Sequence, residues 1–137
     1  MKLILFKNNS VEAISLLENT VEKWLEASSE IIENQVKTNT CIKTGKTKNS
    51  WTHRVNSKEK NAVIGNPLKN AVWEEFGTGE YALGGNGRKG GWFYTDENNI
   101  GHFTYGKHPR RPLYNAFNER KYHVINLAKK FFQEDFK

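Results

Sequence analysis

Residues 51–67 read WTHRVNSKEKNAVIGNP, and this stretch decides whether the chain is all-helical or mixed. Trp51, His53 and Val55 alternate with polar residues, the period-2 pattern of a half-buried strand. A charged turn at residues 57–60 follows, and then a second apolar run, Asn61-Ala62-Val63-Ile64-Gly65. The two runs predict an antiparallel hairpin. Asn66-Pro67 ends it, because proline has no N–H to give to the ladder.

On the N-terminal side the period changes. Ile14, Leu17, Val21, Trp24, Leu25, Ile31, Ile32 and Val36 recur at 3–4 spacing, while Glu12, Glu18, Glu22, Glu26, Glu30 and Glu33 take the other faces. This predicts an amphipathic helix over 11–37, capped by Ser10, whose apolar stripe faces a core. The acidic face argues against binding to anionic lipid. Ahead of it, residues 3–6 form a short strand or an apolar entry segment. Between helix and hairpin, residues 38–50 (TNTCIKTGKTKNS) have no period and read as a flexible basic loop. Its Gly45-Lys46-Thr47 resembles the end of a phosphate-binding loop, but position 40 is Thr where a glycine is required and no strand precedes it.

On the C-terminal side, NAVWEEFGTG (70–79) fits a short helix capped by Asn70 and ended by Gly77 in the left-handed region. Alternation of Val72, Glu74 and Phe76 also fits a strand. The helix is the expectation, because Glu74-Glu75 suit a strand interior less well. Residues 80–91 are a second flexible loop. Trp92-Phe93-Tyr94-Thr95 and His102-Phe103-Thr104-Tyr105 flank turn-forming residues and predict an aromatic hairpin. Pro112 is placed as the first residue of a helix over 112–134, with Leu113, Ala116, Phe117, Val124, Leu127, Ala128 and Phe131 as its stripe. The expected fold is α+β, two long helices packed on a small antiparallel sheet, in a single domain spanning 1–137.

Bulk properties agree with a folded domain. In 137 residues, 36% hydrophobic content is modest, but four Trp, five Tyr and eight Phe supply large rings from which a small core can be built. Cys41 is the only cysteine, which leaves no intrachain disulfide and disfavours a thiolate metal site. The apolar run at the start has four residues before Lys7, too few for a secretory leader or a membrane span, so the expectation is a cytoplasmic chain without membrane contact. Net charge is +6 and unevenly spread: residues 1–36 hold three Lys against six Glu, and residues 37–137 hold eighteen Lys and Arg against nine Asp and Glu. Such a split suits nucleic-acid contact, or contact between the acidic end of one copy and the basic body of the next.

Candidate chemistry is sparse. Gly85, Gly87 and Gly90 spell G-x-G-x-x-G, yet a dinucleotide site needs a strand before it and a helix after it, and here a strand-like run follows. His53, His102, His108 and His123 lack metal-ligand spacing, and adjacent Glu74 and Glu75 do not form a carboxylate pair. No catalytic residue, cofactor, metal or small-molecule substrate is expected. Arg88, Lys89, Arg110 and Arg111 are candidates for contact with DNA or a protein partner. Lys43, Lys46, Lys48, Arg54 and Lys107 add basic charge, and Trp92 or Tyr94 could stack on bases. No nucleic-acid module is recognisable, so a small basic nucleic-acid-binding protein is the alternative rather than the first reading.

Three ordered stretches carry a resemblance: residues 44–51 (TGKTKNSW); Ala62-Val63-Ile64-Gly65-Asn66 running on to Glu75-Phe76-Gly77-Thr78-Gly79; and 109–117 (PRRPLYNAF). Together they resemble the phage tail-component family called gene-product-ten-like, over about residues 10–132. Asn70-Ala71 departs from the Tyr-Ala often found before the Glu-Phe-Gly segment, and the loop 80–107 is long. The resemblance implies an α+β virion subunit without an active site. Such a subunit assembles as a homo-oligomeric ring with other neck and tail proteins, in tail completion or head–tail joining, and is made in the host cytoplasm. It marks Glu75, Phe76, Gly77, Thr78, Gly79, Pro112, Ala116 and Phe117 as structural positions. Of these, Phe76 is expected to be buried and Gly77 to take a positive φ.

Overall fold

The computed structural model describes residues 10–42 and 45–137. Residues 3–6, Lys43 and Thr44, which figure in the sequence reading, lie outside the described residues. Element order is α1 (Ser10–Asn39), α2 (Lys46–Asn49), β1 (Thr52–Asn56), β2 (Asn61–Gly65), α3 (Lys69–Phe76), a 3-10 turn (Gly79–Tyr81), β3 (Trp92–Thr95), β4 (Gly101–Thr104) and α4 (Pro112–Asp135). The α+β class holds, but the strands form two separate antiparallel pairs rather than one sheet.

Helices α1 and α4 lie side by side and run antiparallel. Lys23 and Thr20 of α1 bind Asp135 at the end of α4, at 2.8 and 2.7 Å, whereas Asn39 reaches the Pro112 carbonyl at 3.2 Å at its start. Ile32 and Val36 on the apolar stripe of α1 meet Trp51, Ala71 and Ala116, with Ile64, Leu113 and Val124 packed around them. Both indole donors in this layer are satisfied, as burial demands. Trp51 Nε1 donates to Thr40 Oγ1 at 2.8 Å, and Trp24 Nε1 to the Val124 carbonyl at 2.8 Å.

Three boundaries move. Ser10 is already helical, so the cap of α1 lies outside the described residues. Four residues of the expected basic loop, Lys46–Asn49, close a helical turn behind Gly45, which takes φ +79°. The cap of α3 is Leu68 rather than Asn70, because Asn66 Oδ1 accepts the Leu68 N–H at 2.9 Å and turns the chain two residues earlier.

The first hairpin pairs Thr52 with Gly65 through to Asn56 with Asn61, and lies against α1. His53 fastens it there. Its Nε2 meets Glu26 at 2.6 Å and its Nδ1 meets Glu33, one face of α1 supplying both carboxylates seven residues apart. Lys37 pairs with the same Glu33 at 2.8 Å. The Glu26 and Glu33 hydrogen bonds raise the His53 pKa above its ordinary value, against the opposing effect of burial. Burial pushes Glu33 upward, but Lys37 and His53 together hold it below the usual carboxylate range.

A histidine raised in the folded state stabilises fully below its unfolded pKa of about 6.5, and that contribution is lost as pH rises through the folded value. Thermal stability is therefore expected to fall from pH 6 towards pH 9. In His53→Gln this slope should flatten, with a loss on the order of 1 kcal/mol at pH 6 because Glu26 is largely solvated. Melts followed by circular dichroism across that range would show an unchanged slope if the clamp were unimportant.

The second hairpin pairs Trp92 with Thr104 and Phe93 with Phe103. Its five-residue turn is organised by Asp96, whose Oδ1 accepts the Asn98 and Ile100 N–H groups, each at 2.9 Å, and whose Oδ2 meets His102 Nε2 at 2.7 Å. His102, followed by the Ile100 amide, holds the Asp96 carboxyl below the usual range. Phe93, Phe103 and Tyr105 form an edge-to-face row with ring centroids 4.9 and 5.1 Å apart.

Candidate functional site: a glutamate-locked junction beside an apolar groove

On α3, Ala71, Glu74 and Glu75 fall at i, i+3 and i+4 and form the buried face. Two buried glutamates on one short helix need partners, and both find them in the chain that enters α4. Glu75 accepts the Leu113 N–H at 2.8 Å through one oxygen and the Tyr114 N–H at 3.0 Å through the other. These are first-turn donors of α4 that have no intrahelical partner. Arg111 at the N-cap position is left-handed (φ 53°, ψ 52°) and makes no side-chain cap, so a carboxylate from 38 residues upstream does that work. Its negative charge also sits at the positive end of the helix dipole.

Glu74 holds the preceding connector. Its side chain pairs with Lys107, and its carbonyl accepts the Arg110 and Arg111 N–H groups at 2.8 and 3.2 Å. Beyond α3 the chain lies flat along residues 105–107. Thr78 N–H donates to the Lys107 carbonyl at 2.9 Å, Thr78 Oγ1 accepts the Lys107 N–H at 2.8 Å, and Glu80 N–H donates to the Tyr105 carbonyl at 2.9 Å.

This close approach explains the glycines of the motif. Gly79 takes φ +61°, and a Cβ there would stand 2.2 Å from the Tyr105 carbonyl oxygen. Gly77 takes φ 74° and ψ 177°, outside the left-handed helical region and in one essentially reserved for glycine. In the glycine-rich loop, a Cβ at Gly87 would stand 2.1 Å from the Gly79 carbonyl oxygen, and Gly90 N–H donates to Glu80 Oε1 at 2.8 Å. The loop folds back on the 3-10 turn, and strand β3 follows it.

Phe76 departs from expectation: it is 54% exposed. The inward face of α3 is occupied by Ala71, Glu74 and Glu75, which leaves Phe76 beside Val72, one turn away, on the outer side. Those two residues form one wall of an open groove of about 560 Å³. Ile32 and Trp51 lie in it, Ile64 closes one side, and Leu113 and Phe117 of α4 form the other wall. Pro112 and Ala116 are buried beneath, whereas Phe117 is 59% exposed. The lining is predominantly apolar, with Arg111 and Glu75 as its charged members.

The four basic candidates separate into two pairs. Arg88 lies over the ring of Trp92 at the start of β3, at 5.5 Å, and Lys89 is 3.8 Å from Glu80, so both face groups of the loop or its flanking strand. Arg110 and Arg111 stand at the start of α4, and Arg111 stacks on Tyr114 at 3.6 Å. Among the described residues, no group of three or more His, Cys, Asp or Glu could hold a metal ion. No helix among them is long and apolar enough to cross a membrane.

The sequence pattern did not reveal what Glu74 and Glu75 do, nor the groove beside them. The available signal was the 71/74/75 spacing, which marks an inward face that carries two carboxylates. Comparison of the chain with family models, with curated proteins and with solved structures finds no match.

Proposed function

We propose that the chain is a structural subunit of a phage or prophage particle, acting in tail completion or head–tail joining. Its copies associate into a ring, in contact with other neck and tail proteins, after synthesis in the host cytoplasm. The observation that carries this reading is the surface left uncovered. The accessible area is 10301 Å². A folded monomer of 15.8 kDa exposes about 7,300 Å². Even the extended-chain area of the eleven undescribed residues, about 2,000 Å² by the same scaling, leaves a surplus.

Large apolar side chains make up much of that surface. Phe93 is 81% exposed, Val11 76% and Phe117 59%, while the buried apolar core among the described residues has only five members. Surfaces of this kind are completed by a partner. The residues behind the family resemblance also have architectural duties: Glu75 accepts the first N–H groups of α4, and Gly79 lets the chain lie close against Tyr105. A ring further requires a head-to-tail contact, which the uneven charge suits.

Disruption of the coding sequence in its phage or prophage tests the role. The expected result is heads and tails that accumulate unjoined, visible by electron microscopy and restored by the gene in trans. Normal infectious particles would overturn it. Steeply salt-dependent duplex binding by a stable monomer would favour the nucleic-acid reading.

A further inference from the structure

Helix α1 is longer than the partner it packs on. Asp135, at the end of α4, is met by Thr20 and Lys23, so residues 10–19 extend past it by about 15 Å at 1.5 Å per residue. Every residue in that overhang is exposed. It is nevertheless apolar along one side: Val11, Ile14 and Leu17 are 76, 57 and 45% exposed. Ile14 and Leu17 continue, at 3–4 spacing, the stripe that runs through Val21, Trp24 and Ser28 to buried Ile32. The same face that makes the α1–α4 interface carries on where α4 has stopped.

The groove has the complementary need. It is apolar and open, and Ile32 forms part of its lining. The overhang cannot fill the groove of its own molecule. Ile14 and Ile32 belong to one continuous helix and stand about 27 Å apart along its axis. An overhang that enters a groove must come from another copy. Charge agrees: residues 10–19 carry Glu12 and Glu18 with no Lys or Arg, while of the two charged residues lining the groove Glu75 is already bound to the Leu113 and Tyr114 N–H groups and Arg111 Nε is buried without a hydrogen-bond partner among the described residues.

We infer that the first turns of α1 in one copy seat Val11, Ile14 and Leu17 in the groove of a second copy, between Phe76 and Phe117. This rests on the reading of the chain as an assembling subunit and names the contact that reading requires. Because arm and groove are different surfaces of one molecule, the contact is heterologous. Repeated, it closes into a ring when the rotation permits, and each copy then both gives an arm and receives one.

Two variants of the full chain test it by light scattering. Ile14→Asp/Leu17→Asp removes the arm and Phe117→Asp removes the groove, all at exposed positions, so each should melt within a few degrees of the parent. Each variant alone is expected to remain monomeric at concentrations where the parent associates. An equimolar mixture should give a 1:1 pair and nothing larger, since one intact arm and one intact groove remain. Either variant associating as the parent does, or a mixture with no pair at the highest attainable concentration, overturns the inference while leaving the proposed role to the particle experiment. A parent that never associates overturns it as well, and unjoined heads and tails in the disruption experiment would still support the role.

Discussion

Glu75→Ala is expected to lower the unfolding free energy by about 3 kcal/mol, from the loss of two hydrogen bonds to a charged acceptor and of the cap on α4. Both oxygens are engaged, at 2.8 and 3.0 Å, and the residue is only 7% exposed, so water cannot readily replace them. The Leu113 and Tyr114 N–H groups would then sit at the start of a 24-residue helix without an acceptor. Glu75→Gln, which keeps one acceptor oxygen and loses the charge, should fall between the two. Urea unfolding gives the comparison directly. A loss below about 0.5 kcal/mol for the alanine variant, the size of an ordinary surface change, would show that α4 is not held from α3.

Gly79→Ala is expected to lower the unfolding free energy by about 3–5 kcal/mol. Two costs combine. An L-residue at φ +61° is strained by roughly 1–2 kcal/mol, and the new Cβ would lie 2.2 Å from the Tyr105 carbonyl oxygen. That oxygen is held by the Glu80 N–H, so relief requires breaking the bond that ties the second hairpin to the 3-10 turn. Gly85→Ala separates the two costs: φ is +67°, but nothing lies within 4 Å. It should therefore lose only about 1 kcal/mol. Equal losses at the two positions would contradict the close-approach account. Domains of this size are stable by roughly 5–15 kcal/mol, so Gly79→Ala would leave a substantial unfolded fraction if this chain lies near the lower end.

These two residues also show which parts of the structure were legible in the sequence. Helices α1 and α4 and both hairpins follow from local pattern: the 3–4 stripe from Ile14 to Val36, the alternation around His53, the turn formers after Trp92, and Pro112 as a helix start. Each signal lies within the element it specifies. The duties of Glu74 and Glu75 are not local. Their partners stand more than thirty residues downstream, and an adjacent pair of acids in a short segment looks like a solvated surface until the connector is folded over it. Phe76 fails for a related reason. A phenylalanine beside a glycine turn reads as core, but the inward face of α3 was already occupied by the two glutamates. The overhang of α1 is invisible in sequence as well, because the apolar stripe is continuous and only the length of α4 reveals where it goes uncovered.

Fold and proposed role meet at one physical point: a small core with large apolar surfaces at both ends of the helix pair. The His53 clamp and the glutamate lock stabilise the body, and the overhang and groove are left for association. The most direct test is multi-angle light scattering of the full chain over a wide range of concentration. The account predicts a mass that rises from 15.8 kDa to multiples of it as concentration increases. A mass fixed at 15.8 kDa throughout that range would contradict it.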